Sequence, residues 1–265
     1  MSFETTPILP IGTHNIRDLG GLPRSAGGQT APRRVLRGCA MQHIGPMGRQ
    51  ALIEAGLRTV IDLRSDTEID EAPPAFEGIS AVLTLYHPVF ADLGPIARMI
   101  AAEPEFRLQH RYARALELAA ARFAAVIRAI ADAEPGMVLI HCTAGKDRTG
   151  LIAAMLLDLA GVPRPAILAD YARTADHGAA LIATLRHRAT SAGQPPALVE
   201  ATLGVGGAYL PDKQDWRLRG GEPIERKQEI SVLRGKWRWT ERAESGAEMS
   251  GFGPWGAHLP RIRAA

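Results

Sequence analysis

A cysteine and an arginine stand six positions apart in the segment His141-Cys-Thr-Ala-Gly-Lys-Asp-Arg148. A cysteine thiolate is a strong nucleophile, and the planar guanidinium of Arg148 can bind two oxygens of one phosphate group, which a lysine cannot do. Thr149 follows directly, and its hydroxyl can donate to the sulfur and help the thiolate leave a phosphocysteine. These residue types at this spacing predict that Cys142 attacks a phosphate monoester.

A loop that binds phosphate in this way needs a strand before it and a helix after it. Residues 137–140 are a short apolar run typical of a buried strand, and residues 149–161 predict an apolar helix. The N-terminus of a helix offers unpaired N–H groups and the positive end of its dipole, which bind a phosphate and stabilise a thiolate. Gly145 permits the tight turn. The predicted phosphate-binding residues of the loop are His141, Thr143, Ala144, Gly145 and Lys146.

Strands and helices alternate along the rest of the chain. Apolar and β-branched runs predict strands at residues 34–37, 59–63 and 81–85. Residues 47–55 predict a helix that ends at Gly56, and apolar residues at helical spacing predict a long helix at residues 112–133. A second helical region is expected at about residues 165–192. This alternation predicts an α/β fold in which a central, mainly parallel sheet is flanked by helices.

The composition changes beyond Gly204. All four tryptophans lie after it, among glycines, arginines and glutamates with little apolar periodicity. We therefore predict a catalytic domain over residues 1–204 and an appendage rich in Trp, Arg and Gly over residues 205–265. Within the domain, a helical piece flanked by prolines predicts a segment at about residues 90–110 that either covers the site as a lid or packs in the core.

Length and composition exclude several classes of protein. A chain of 265 residues that is 46% hydrophobic and 22% charged is typical of a folded globular protein. The first residues show no basic n-region followed by an apolar h-region, and no apolar run reaches the roughly 18 residues that span a membrane, so we expect a cytoplasmic protein without stable membrane insertion. Secretion without a recognisable signal stays open. Two cysteines are too few for a disulfide framework and lack the spacing of a zinc site.

The net charge of +3 raises the expectation of an anionic ligand without identifying it. The basic and aromatic tail also contains glutamates that offset its charge, so we expect a solvated tail and no nucleic-acid partner. Cys39 stands alone after a predicted strand and is interpreted as a packing residue, with redox pairing to Cys142 as a hypothesis.

Three separated motifs carry a resemblance to a known family. The segment His141-Cys-Thr-Ala-Gly-Lys-Asp-Arg-Thr-Gly150 resembles the signature loop of the protein-tyrosine phosphatase superfamily. Together with Asn15-Ile-Arg-Asp-Leu-Gly-Gly21 and Val60-Ile-Asp-Leu-Arg-Ser65, it is similar to bacterial tyrosine phosphatases of the mycobacterial PtpB type. The resemblance covers about residues 10–210. It implies a tyrosine-phosphatase-like fold, catalysis without metal or other cofactor, and activity on phosphotyrosine in proteins, with dual specificity or phosphoinositide substrates in some relatives.

The residue that protonates the leaving oxygen is left open between two aspartates. Asp147 lies in the loop itself and is our first choice, since acidic loop residues are proposed acids in related lipid-type phosphatases. Asp62 ends a predicted strand and is the second, although it could instead pair with Arg148 and hold it. Lys146 is interpreted as a positive charge at the rim, which favours multiply phosphorylated ligands such as inositol lipids.

For the other charged residues, both a structural role and a phosphate-binding role are considered. Arg17 and Asp18 form a surface pair by spacing alone, and only the resemblance places them, with Arg64, among the phosphate-binding residues. Residues 64–66, followed by Glu68, also resemble the start of a helix.

Two other functions compete with tyrosine dephosphorylation. The first is hydrolysis of phosphoinositides or inositol phosphates by the same loop. The second is a pseudophosphatase that binds phosphorylated partners without turnover, which the intact trio of Cys142, Arg148 and Thr149 disfavours.

Overall fold

The computed structural model describes residues 13–93, 96–103 and 106–204. Five strands form one sheet in the order β1-β2-β5-β3-β4. The strands are β1 (Arg17–Asp18), β2 (Val35–Gly38), β3 (Leu57–Asp62), β4 (Leu83–Tyr86) and β5 (Met137–His141). Only β1 runs antiparallel to its neighbour, so the predicted α/β fold with a mainly parallel sheet is confirmed.

Helices cover both faces of the sheet. They are α1 (Pro46–Glu54), α2 (Asp66–Glu71), α3 (Ile96–Ala102), α4 (Leu108–Leu118), α5 (Ala120–Asp132), α6 (Asp147–Leu159), α7 (Arg164–Ala172), α8 (Thr174–His177), α9 (Ala179–Ser191) and α10 (Pro196–Leu203). None of the helices in this described part is long and apolar enough to cross a bilayer.

The central strand β5 divides the core into two layers. Met137 and Leu139 belong to the smaller cluster, which α1 covers through Leu52. Val138 and Ile140 alternate with them and belong to the larger cluster, which α4, α5, α6 and α7 cover. Side chains alternate between the faces of a strand, so a strand buried on both sides reads as the continuous apolar run seen in the sequence. Cys142 therefore follows a strand that is buried along its whole length.

Two helical predictions differ from the structure. The predicted helix over residues 112–133 is two helices that meet at Ala119, whose φ of −114° and ψ of 22° are not helical. Neither Pro nor Gly marks the break, and both helices keep apolar side chains in the larger core cluster. The predicted helical region at 165–192 is divided into α7, α8 and α9, and α10 was not predicted. The predicted appendage at 205–265 lies outside the described residues.

The helix start predicted at residues 64–66 is confirmed. Ser65 caps α2, because its side chain accepts from the backbone N–H of Glu68 while the Glu68 side chain accepts from the backbone N–H of Ser65. Such a reciprocal cap stabilises a helix by about 1 kcal/mol. It also fixes Glu68 at the carboxyl edge of the sheet.

Candidate active site

Cys142 lies where the central strand meets a helix. β5 ends at His141 and α6 begins at Asp147, so the loop runs from the carboxyl edge of the sheet into a helix N-terminus. Cys142 itself is buried. Gly145 has a φ of +66°, and a Cβ there would lie 2.8 Å from the backbone nitrogen of Cys39. Only glycine fits both the backbone conformation and the space.

Two buried side chains hold the back of the loop. The Asn15 amide donates to the carbonyls of Ala144 and Gly145, at 3.0 Å each. Arg37 Nη2 also donates to the Gly145 carbonyl, at 2.8 Å. In a trans peptide the C=O and the following N–H point in opposite directions. Because these two carbonyls face the protein, the N–H groups of Gly145 and Lys146 are directed to the other side, where they can bind an anion.

Asp170 of α7 pairs with Arg37, which holds the loop, and with Arg17. Its carboxylate accepts from Arg17 Nε at 2.7 Å and from Arg37 Nη1 at 2.6 Å. Burial would raise the pKa of Asp170, but the charges and hydrogen bonds of the two arginines outweigh it and lower the pKa to about 2. Burial, with the nearby Arg37 charge, lowers the pKa of Arg17 to about 10. Arg17 also donates to the Asn15 side chain, so it contacts the loop through Asn15 rather than lining its open side.

The side chains of Asp18, Arg64 and Asp62 are hydrogen-bonded to residues outside the loop of Cys142. Asp18 accepts from the backbone N–H groups of Gly20 at 2.8 Å and Arg33 at 2.6 Å, which places it in a turn. Arg64 forms a fork with Asp62, with Nη2 at 2.7 Å from Oδ2. Burial would raise the pKa of Asp62, but nearby His141 and Arg64 lower it. Asp62 is fully buried and holds its charge, which is unfavourable for a proton donor.

The partner of Arg148 is Glu68 and not Asp62. Arg148 Nη1 lies 2.5 Å and Nη2 2.7 Å from the two carboxylate oxygens, and the Thr143 hydroxyl donates to the same group. Burial would raise the pKa of Glu68, but hydrogen bonding and attraction from Arg148 lower it to about 2. The sequence identified Glu68 only through the capping box at Ser65. The pairing of Glu68 with Arg148 was missed because the two residues are 80 positions apart.

We expect Glu68→Gln to lower kcat by about 10²-fold, because an amide cannot hold both arms of the guanidinium and a small misplacement of a catalytic group has an effect of this size. Steady-state kinetics on an aryl phosphate measure the change. Glu71→Gln is the matched control, since Glu71 lies exposed at the end of the same helix. Equal kcat values for the two variants would show that Glu68 does not position Arg148.

Asp147 is the described carboxylate best placed to serve as an acid. It is the first residue of α6, its side chain is 26% exposed, and it lines the cleft described below. Its Oδ1 accepts from the hydroxyl of Tyr112 and lies 3.4 Å from Lys146 Nζ. Lys146 is 2% exposed and donates to the Thr202 carbonyl of α10 at 3.1 Å. The structure therefore buries Lys146 instead of leaving it at the predicted rim.

Thr149, His141 and Cys39 are also buried. Thr149 is fully buried, and its hydroxyl has no hydrogen-bond partner within the part of the chain that the structure describes. Burial lowers the pKa of His141, whose Nε2 lies 3.7 Å from Asp62. Burial has the opposite effect on the pKa of Cys39, which it raises to about 11, and this favours the neutral thiol at physiological pH. A neutral thiol is a weak nucleophile, which favours the packing role of Cys39.

A cleft of about 310 Å³ opens beside the loop. Its lining residues are Leu63, Ser65, Glu68, Pro88, Phe90, Ala91, Ile96, Leu108, Arg111, Tyr112, Asp147, Arg148 and Thr202. The guanidinium carbon of Arg111 lies 5.4 Å and that of Arg148 5.9 Å from the centre of the Phe90 ring. The segment predicted as a lid thus forms one wall of the cleft through Phe90 and Ile96, and its opening and closing stay a prediction.

Known proteins similar to this chain are phosphatases. A model described as the tyrosine phosphatase family matches residues 10–213. A tyrosine-protein phosphatase of Nostoc commune is 36% identical over 137 residues, covering 49% of this chain and 44% of that protein. A candidate tyrosine-protein phosphatase of Cupriavidus necator is 31% identical over 211 residues, covering 74% of this chain and 73% of that protein. The chain thus spans less than half the length of the first of these relatives.

Two further similarities are more distant. The triple specificity protein phosphatase PtpB of Mycobacterium tuberculosis is 28% identical over 194 residues, covering 62% of this chain and 68% of that protein. The crystal structure of P. aeruginosa TpbA in complex with phosphotyrosine matches 52% of this chain and 67% of that chain, at 23% identity and a TM-score of 0.28. A TM-score this low supports no inference about the site.

Proposed function

The chain belongs to the tyrosine phosphatase family, and from this premise we propose that it hydrolyses phosphotyrosine in proteins with Cys142 as the nucleophile. The observation that carries the proposal is the position of Cys142 between a buried strand and a helix N-terminus, in a loop whose carbonyls are held from behind by Asn15 and Arg37. Such a loop presents N–H groups to a phosphate and stabilises a thiolate.

The first step transfers the phosphoryl group to sulfur. The Cys142 thiolate forms a bond to phosphorus, the bond from phosphorus to the ester oxygen breaks, and Asp147 gives its proton to that oxygen. Arg148 binds two non-bridging oxygens. Glu68 engages two of the five guanidinium N–H donors, and the other hydrogen bonds that Nη1 and Nη2 make to described residues are long, at 3.5 Å to Leu63 and 3.4 Å to Thr143. The guanidinium therefore keeps donors for the ligand.

The second step releases phosphate from the phosphocysteine. Asp147, now a carboxylate, takes a proton from the attacking water, and the bond from sulfur to phosphorus breaks. The Thr149 hydroxyl, which follows Arg148 and is buried without a described partner, is available to donate to the departing thiolate. Cys142 and Asp147 are then restored to their starting states.

The substrate range within the family is a further part of the proposal. The motif Cys142-Thr-Ala-Gly-Lys-Asp-Arg148 supports the PtpB type, in which dual specificity or phosphoinositide hydrolysis is the alternative activity. The preference for inositol lipids was predicted from a charge of Lys146 at the rim, and Lys146 is buried. Arg111 nevertheless lines the cleft as a second cation beside Arg148. We therefore keep phosphoinositides as the second candidate. An intact Cys142, Asp147 and Arg148 disfavour a pseudophosphatase.

We expect a phosphotyrosine peptide to be hydrolysed faster than the matched phosphoserine peptide and faster than a phosphoinositide presented in vesicles. Rapid quenching followed by mass spectrometry should find an adduct of about 80 Da on Cys142 during turnover. Faster lipid hydrolysis would transfer the assignment to the second candidate. If neither turnover nor an adduct is found, the alternative of a pseudophosphatase, which binds phosphorylated partners without turnover, is favoured.

A further inference from the structure

A buried tyrosine contacts the proposed acid, and the mechanism above leaves it without a role. Tyr112 of α4 is fully buried in the larger core cluster and is also one of the residues that line the cleft. It is bonded to Asp147 Oδ1, and it lies 3.0 Å from the hydroxyl of Tyr171 on α7. Three residues from three different helices are thus connected in one chain of hydrogen bonds.

The donor in each of these hydrogen bonds can be identified, because a phenol that keeps its proton has one hydrogen to donate. Burial, with the nearby charge of Asp147, raises the pKa of Tyr112 well above its ordinary value, so the hydroxyl keeps its proton. A hydroxyl has one proton to donate, and Asp147 Oδ1 is the acceptor. Tyr171 must then be the donor in the contact between the two tyrosines.

This arrangement makes the two oxygens of Asp147 different. Oδ1 accepts from Tyr112 and has Lys146 Nζ at 3.4 Å, whereas Oδ2 accepts no hydrogen bond from the residues that the structure describes. The side chain lines the cleft and is partly exposed. When the carboxyl group is protonated, Oδ1 remains an acceptor as the carbonyl oxygen, so the bond from Tyr112 persists in both protonation states.

We propose that Tyr112 is a positioning residue that holds Oδ1 of Asp147, so that Oδ2 carries the proton given to the leaving oxygen. The proposal rests on the proposed function, in which Asp147 is the acid. Donation by Tyr112 keeps the proton off Oδ1, which is turned toward α4, and fixes the rotation of the carboxyl plane. Protonation of a leaving oxygen matters more as that oxygen becomes more basic, and this gives the proposal a specific kinetic signature.

The test is Tyr112→Phe, which removes the hydroxyl and leaves the buried ring. We expect kcat/KM to fall by about tenfold or more for phenyl phosphate, whose leaving oxygen is basic, and by much less for 4-nitrophenyl phosphate. A plot of log kcat/KM against the pKa of the leaving phenol should therefore be steeper for the variant. Tyr171→Phe is the comparison, because it removes the neighbouring hydroxyl and keeps the donation to Asp147; its slope should stay close to that of the unmodified protein.

Two outcomes would overturn the proposal. If Tyr112→Phe lowers all rates by one factor, Tyr112 supports the fold and not the acid, and if it lowers none, the hydroxyl has no role. The double variant Tyr112→Phe/Asp147→Asn gives a further check, since residues that act through one group are not additive. Its slope should equal that of Asp147→Asn alone, and a steeper slope would also contradict the proposal.

The same series separates this proposal from the function on which it rests. Asp147→Asn should itself show the steep slope, and a flat slope there would show that another group is the acid. Retained turnover by Cys142→Ser would instead remove the proposed function altogether. The role of Tyr112 fails on its own when the slope of Asp147→Asn is steep and that of Tyr112→Phe is not, or when the double variant is steeper than Asp147→Asn.

Discussion

Replacing Cys142 by serine should lower kcat on a phosphotyrosine peptide by at least about 10⁴-fold, the scale of loss expected when a covalent nucleophile is removed. A serine hydroxyl is far less acidic than a cysteine thiol, so it stays protonated where the helix N-terminus would stabilise a thiolate, and the nearby carboxylates of Asp62 and Glu68 are each engaged by an arginine. Steady-state kinetics at enzyme concentrations in the micromolar range would measure the residual rate.

Phosphate binding by the same variant should change little. The proposed anion site consists of the loop backbone and Arg148, and the loop is held by Asn15 and Arg37 through carbonyls that the substitution does not touch. Titration calorimetry with inorganic phosphate would measure the affinity. Cys39→Ser is the matched control, since Cys39 is an equally buried free thiol. Hydrolysis of an aryl phosphate by Cys142→Ser at the rate of the Cys39→Ser control would refute the nucleophile assignment.

The parts of the site that could be predicted are local in sequence. The strand, loop and helix around Cys142 occupy one continuous segment, and their composition specifies each element. The capping box of α2 also depends on residues only three positions apart. The family resemblance added Asn15 to the motifs, and the structure explains this residue as a donor to two loop carbonyls.

The residues that support the loop could not be predicted, because their partners are distant along the chain. Asp170 is 133 residues from Arg37, and Glu68 is 80 residues from Arg148. An isolated aspartate or arginine in a sequence is most often a solvated surface residue. The parallel pairing of β2 and β3 with β5, and the packing of α7 on α6, bring these groups together.

The position of Lys146 shows a second limit of the sequence. A lysine inside the loop suggested an exposed charge, but α10, which was not predicted, covers it and accepts a hydrogen bond from it through the Thr202 carbonyl. Likewise, nothing in the run from 112 to 133 marked the break at Ala119, since each half is a good helix former. Tertiary packing decided both features.

Asp170→Asn should lower the free energy of unfolding by about 3–5 kcal/mol, because the amide leaves Arg17 and Arg37 buried without a counter-charge. Urea denaturation followed by circular dichroism measures the loss. Asp176→Asn is the control, since Asp176 is exposed on α8 and its replacement should change stability by no more than about 0.5 kcal/mol. Equal midpoints for the two variants would show that the buried carboxylate is not needed as a charge.

The pH dependence of this difference gives a second test. The pKa of Asp170 is about 2 in the folded protein and has an ordinary value of 3.8. A carboxyl whose folded pKa is depressed contributes stability that is fully present above the unfolded value and is lost as the pH falls through the folded one. The gap between the unmodified protein and Asp170→Asn should therefore be constant near neutral pH and shrink between about pH 4 and pH 2. A gap that widened on acidification would mean that Asp170 is not the counter-charge that keeps Arg17 and Arg37, and through them the phosphate loop, in place.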